Sequence, residues 1–194
     1  MTAIGPASVG SADAILVAAA RSGDLFAWER LVRRYQESVY RVAFLIVRDT
    51  ALAETATQST FVRAYHALPS LEDDHGLLPW LFRIASGESR QQRRDSGRPR
   101  NTSRPVELIH GPHVPAGPVP GLDQAQGLSQ AERAHVGEAF DRLGEEDRLT
   151  IASRYLLGLS RDDAASALAV PVAVLDERLR TALRTLRTRM AASA

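Results

Sequence analysis

The chain has no cysteine, which excludes disulfides and thiolate metal sites and fits a reducing compartment. Lysine is absent too: all 24 basic residues are arginine. That usage points to a GC-rich coding sequence, and no function is drawn from it. No stretch reaches the roughly 18 to 20 apolar residues needed to span a bilayer, so membrane insertion is not expected. The opening, MTAIGPASVGSADA, has no basic segment followed by a long apolar run and does not read as a signal peptide. Neither sign of charge is in excess, since 24 basic and 23 acidic residues leave a net charge of +1. With 44% hydrophobic and 24% charged residues, the 194-residue chain reads as a soluble, cytoplasmic protein of one domain or two small ones.

Catalytic chemistry is equally hard to find. His66, His75, His110, His113 and His135 fall on helix faces, in loops or in a proline-rich stretch, without paired carboxylates, a nucleophile or metal-ligand spacing. No enzyme activity, cofactor or metal is expected.

What is present is helical periodicity. Residues 1–12 are small and polar and are expected to be disordered. A first helix starts at Asp13 with Ile15, Leu16 and Ala19 on one face and stops at Gly23. Asp24 caps a long second helix to about Arg48, with Leu31, Val32, Tyr35, Val39, Val42 and Ile46 inward. Asp49-Thr50 opens a third, with Leu52, Ala56, Phe61, Ala64 and Tyr65 inward, ending by Pro69. A loop, SLEDDHGLL, leads to Pro79 in the first turn of a fourth helix. Its first half, WLFRIA, suits a core. Its second, SGESRQQRR, has no apolar residue, so it either leaves the core to offer arginines to an anion or frays as a solvated end.

Residues 97–127 hold six of the ten prolines and cannot form a continuous helix or a central strand, so they read as a flexible linker. Beyond it, Ser129 with Glu132 forms a capping box for a helix carrying Val136, Ala139, Phe140 and Leu143. The next helix runs from about Glu145, with Leu149, Ala152, Tyr155 and Leu156 inward and Gly158 as its stop. GLSRDDAASALAVPVAVLDERLRTALRTLR then gives two helices and a tight turn. Ser160 caps the first, Ala164, Ala165 and Leu168 face inward, and Ala169-Val170-Pro171 interrupts. Leu175, Leu179, Ala182 and Leu186 resume the helical spacing. Such a pair is either a DNA-reading helix-turn-helix or a plain hairpin in a core. The fold expected is all-α: two small helical domains, 13–96 and 128–190, joined by the linker, with the helix-turn-helix in the second.

In this order the segments resemble the extracytoplasmic-function sigma factors of bacterial RNA polymerase. RSGDLFAWERLVRRYQESVYRVAFLIVRD is similar to that family's opening segment and long helix, and AETATQSTFVRAYHAL to its clamp-docking helix. WLFRIA is similar to the start of the helix that meets the minus-ten element. FDRLGEEDRLTIASRYLLGLSRDDAASALAVPVAVLDERLRTAL follows the Gly-Leu-Ser, Val-Pro and Arg-Leu landmarks of the minus-thirty-five reader. The resemblance implies a sigma subunit that binds core polymerase through the clamp of the largest subunit, recognises promoter DNA and is held by an anti-sigma factor. It implies polymerase contacts at Glu54, Gln58 and Arg63. DNA contacts would fall at Arg90, Arg93 and Arg94 in the first domain and at Asp176, Glu177, Arg178, Arg180 and Arg184 in the second.

The chain departs from the family at several of these places. The acidic pair of the docking helix is Glu54-Thr55, and Ser59 follows Gln58 where an acid is usual. The loop expected to hold a flipped base reads Glu72-Asp73-Asp74, and Ser86-Gly87 replaces an Arg-Asn pair. In the reading helix Val174-Leu175-Asp176-Glu177 stands for Thr-Val-Lys-Ser; carboxylates accept from cytosine but do not help approach DNA. These departures define an alternative, a sigma-like decoy that binds an anti-sigma factor or another partner without directing transcription.

Overall fold

Residues 25–47 carry a buried stripe along one side of a long helix, and the rest of the fold is laid against it. A computed structural model describes residues 7–71, 76–97 and 130–192. The helices are α1 (Ala7–Arg21), α2 (Leu25–Val47), α3 (Thr50–Ala67), α4 (Leu77–Ser96), α5 (Gln130–Asp141), α6 (Glu145–Ile151), α7 (Arg161–Leu168) and α8 (Val172–Ala192). Among the described residues there is no strand. None of their helices is long and apolar enough to cross a membrane.

Local chemistry sets the boundaries. The Asp24 carboxylate accepts from the Phe26 and Ala27 amides, and Asp49 accepts from Leu52, each cap contributing about 1 kcal/mol. Helix α1 starts at Ala7 rather than Asp13, earlier than the apolar spacing alone predicts. Arg21 at its end donates to the carbonyls of Leu68 and Leu71, where the chain leaves α3. Buried Asp13 pairs with Arg34 and accepts from the Tyr35 hydroxyl, tying α1 to α2. Burial, with that carboxylate beside it, pushes the Tyr35 hydroxyl well above its ordinary pKa.

In the second half, α6 passes into one π-helical turn at Ala152–Leu156, with the Leu157 amide bonded to the Ala152 carbonyl. The wider turn rotates the register. Tyr155, expected inward, is therefore 63% exposed, while Ala152 and Ser153 are buried. Gly158 takes a positive φ of 65°, and Ser160 then caps α7, accepting from the Asp163 amide at 3.0 Å. Ala169 ends α7 in the left-handed region at φ 54°, and the Val170 amide reaches back to the Ala165 carbonyl, which turns the chain sharply into α8.

The helices fall into two groups, α1–α4 and α5–α8. Helix α4 packs against α7 and α2 against α6, and one continuous buried cluster runs from Val17 to Ala182. The polar half of α4, expected to leave the core or fray, is part of this junction. Ala85, Ser86 and Ser89 of α4 are buried, as are Ala164, Ala165 and Ala167 of α7. Small side chains let two helices approach closely without an apolar sequence signature. The flexible linker, the Ser129 capping box, His110, His113 and the Glu72-Asp73-Asp74 loop lie outside the described residues.

Candidate nucleic-acid interface

The C-terminus of α2 is where charge accumulates. Its last carbonyls lack helical partners and carry the negative end of the helix dipole. Arg93 donates to the Ile46 carbonyl at 3.1 Å, and Arg148 to Leu45 at 3.2 Å. Arg148 is 9% exposed and also donates to Leu143 (2.6 Å) and Asp141 (3.2 Å). Burial, helped by the nearby charge of Arg48, holds its guanidinium below the ordinary arginine pKa. Arg48 itself pairs with Asp141 at 2.6 Å.

Glu145, in the first turn of α6, faces the same region. Its carboxylate accepts from Arg90 Nε at 2.8 Å and from Arg93 Nη1 at 2.5 Å. Burial alone raises its pKa, but the hydrogen bonds from Arg93 and Arg90 outweigh that effect and hold it below the ordinary carboxylate value. Two of the three arginines expected to hold a DNA strand are thus engaged by an acid of the second group. The third, Arg94, is exposed and donates to Gln91 on its own helix.

A cleft of about 520 Å³ opens between α3 and the first half of α4, lined by Arg63, Ser70, Leu71, Trp80, Arg83, Ile84 and Gly87. Trp80, Arg83, Ile84 and Gly87 share one helix face by their spacing of three, four and seven, a grouping that WLFRIASG itself carries. Arg63 pairs with Glu88 at 2.7 Å beside it. Nine residues separate Arg63 from Glu54, which places them on opposite sides of α3, about 180° apart. Glu54 and Gln58, exposed one turn apart, form the outward pair of that helix. The three residues expected to meet polymerase therefore do not share one surface.

Helix α8 sorts its residues clearly. Leu175 and Ala182 are fully buried, and the opposite side presents Ala173, Glu177, Arg180 and Arg184 at spacings of four, three and four, all exposed. Asp176 lies to one side, paired with Arg161 of α7, and Arg178 to the other, paired with Glu146 of α6 at 3.1 Å. Between α5, the π turn and α8 lies an apolar groove of about 240 Å³, lined by Val136, Phe140, Ile151, Tyr155, Leu156, Leu183 and Leu186.

The family model "Sigma-70 region 2" matches residues 31–99, which span most of α2 through α4. Over 172 residues the chain is 30% identical to the ECF RNA polymerase sigma-E factors of Salmonella typhimurium and Escherichia coli K12, covering 86% of this chain and 88% of theirs. It is 28% identical over 171 residues to the RNA polymerase sigma-H factor of Pseudomonas aeruginosa, with the same coverage. In fold it is similar to CnrH, solved in complex with the cytosolic domain of CnrY, at a TM-score of 0.68 and 24% identity over 94% of this chain and 99% of that one. It is also similar to the sigma factor RpoE of Bartonella quintana, solved with the anti-sigma factor NepR, at a TM-score of 0.61 and 20% identity over 86% and 98%.

Proposed function

We propose, from the premise that the chain belongs to the ECF sigma factors of RNA polymerase, a division of labour among its surfaces. As a sigma factor it directs transcription initiation with RNA polymerase, and the decoy alternative is set aside. It works in the cytoplasm. The first helical group, 13–96, docks on the polymerase clamp through Glu54 and Gln58 and captures the opened strand of the minus-ten element. The second, 128–190, reads the minus-thirty-five element through α8.

The observation that carries this reading is the cleft on α4. A half-buried tryptophan flanked by Arg63 and Arg83 offers a stacking surface for an unstacked base and cations for the phosphates on either side. Arg90, Arg93 and Arg94 continue the same helix toward its C-terminus, the direction a strand leaving the cleft would follow. Phosphates compete with Glu145 for Arg90 and Arg93, so DNA loading parts the two helical groups. An anti-sigma protein is the other expected partner, supported by the bound states of CnrH and RpoE.

The test is a set of variants assembled with core polymerase. Trp80→Ala is expected to form holoenzyme and bind promoter duplex but to lose strand opening, scored with a permanganate footprint. Glu54→Arg with Gln58→Ala is expected to lose core binding first. A Trp80→Ala holoenzyme that opens promoters like the wild type would remove the cleft from the mechanism.

A further inference from the structure

Helix α8 carries two adjacent acids, and the structure separates their roles. Asp176 sits on the flank toward α7, with its side chain 29% exposed, and meets Arg161 through both oxygens: Arg161 Nε donates to Oδ1 at 3.1 Å and Nη2 to Oδ2. It holds the two helices of the helix-turn-helix together. Glu177 lies in the middle of the outward stripe with its side chain 62% exposed, one turn from Ala173 and in line with Arg180 and Arg184. Its Oε2 pairs with Arg180 Nη1 at 2.5 Å, so the carboxylate can approach a phosphate-lined groove with its charge offset by a guanidinium travelling with it.

In the major groove a carboxylate finds one complementary partner among the base edges, the N4 amino group of cytosine; adenine N6 lies beside an N7 acceptor that repels it. We infer that Glu177, and not Asp176, is a base-reading residue of this chain, and that it selects a cytosine in the upstream promoter element. Arg180, fixed beside it, is placed for the O6 and N7 acceptors of guanine in the same or the next base pair. Arg178 takes no part, because Glu146 holds it on the flank. This rests on the reading of α8 as the duplex-reading helix.

The experiment uses holoenzyme made from the full chain and core polymerase, challenged with a promoter library randomised at both elements and sequenced after selection. Holoenzyme formation is scored first, by gel filtration. The wild type is expected to enrich cytosine at one upstream position, roughly tenfold over other bases. Glu177→Gln should move that position toward adenine, whose N6 and N7 edge matches a carboxamide, and Asp176→Asn should leave the profile as it was. Loss of the cytosine preference without a new base would still identify Glu177 as the reader. An unchanged Glu177→Gln profile would overturn the assignment. So would a shift produced by Asp176→Asn, or a wild-type holoenzyme without any preferred upstream base. Failure to form holoenzyme at all would instead strike the sigma-factor role of these surfaces, and the inference with it.

Discussion

Replacing Arg148 by methionine probes how the two helical groups are joined. The side chain is nearly buried and its guanidinium serves three carbonyls: Asp141 and Leu143 within the second group, and Leu45 at the end of α2. Methionine keeps much of the volume and removes every donor. Two of the three bonds are long at 3.2 Å, so each is set at about 1–1.5 kcal/mol, at or below the low end for a charged donor, for a gross loss of about 4 kcal/mol. Against this, the guanidinium no longer has to be desolvated, and its Nε, without a partner among the described residues, disappears. That returns roughly 1–2 kcal/mol and leaves a net destabilisation of about 2–3 kcal/mol. Urea unfolding followed by far-UV circular dichroism measures the total. Both tryptophans, Trp28 and Trp80, lie in the first group, so their fluorescence reports how much of the loss crosses the junction. The Leu45 bond sets that share at about 1 kcal/mol. Arg148→Lys should recover only part, since one ammonium cannot reproduce a planar fork on three acceptors. A methionine variant within about 0.5 kcal/mol of the wild type by both probes would refute the reasoning.

Three further outcomes follow from single atoms. Among the described residues the buried Ser86 hydroxyl has no hydrogen-bond partner, so Ser86→Ala should stabilise the chain by about 1 kcal/mol in urea titration. Ala169 occupies left-handed backbone at φ 54°, so Ala169→Gly should raise the melting temperature, by about 1 kcal/mol of added stability. Glu145→Gln should weaken the junction by about 1 kcal/mol at neutral pH, a modest figure because Arg90 and Arg93 are 41% and 48% exposed and screened. The folded carboxyl lies below its ordinary value of 4.5, so the joined state binds fewer protons than the parted one. The contribution of Glu145 is therefore complete above that value and is lost as pH falls through the lower, folded one. The stability gap between wild type and Glu145→Gln, measured across acid pH, should close in that window and stay open above it.

Local chemistry was the most legible in the sequence. Asp24, Asp49 and Ser160 cap their helices because a cap needs only its own next three residues. The buried stripe of α2 follows from apolar spacing alone. Where that spacing breaks, sequence reading fails: the π turn moved Tyr155 outward because a wider turn has no sequence signature. The junction between groups was illegible for another reason. Ser86 and Ser89 read as polar, yet both are buried, and Glu145 finds Arg90 more than fifty positions away. The face Trp80, Arg83, Ile84 and Gly87 follows helical spacing as well, but it mixes apolar, charged and glycine residues and so carries no apolar stripe. On α8 the sequence showed two acids side by side, and only the packing of Leu175 and Ala182 assigns Glu177 to the exposed stripe and Asp176 to Arg161.

This chain is expected to join core polymerase and to select promoters with it. Sigma-free core polymerase titrated with the purified chain, on a library of promoter templates, measures it directly through complex formation and run-off transcripts. A one-to-one complex at submicromolar concentration and transcripts confined to a subset of templates are expected. No complex at micromolar concentration, or a complex that initiates no better than core alone, would contradict it.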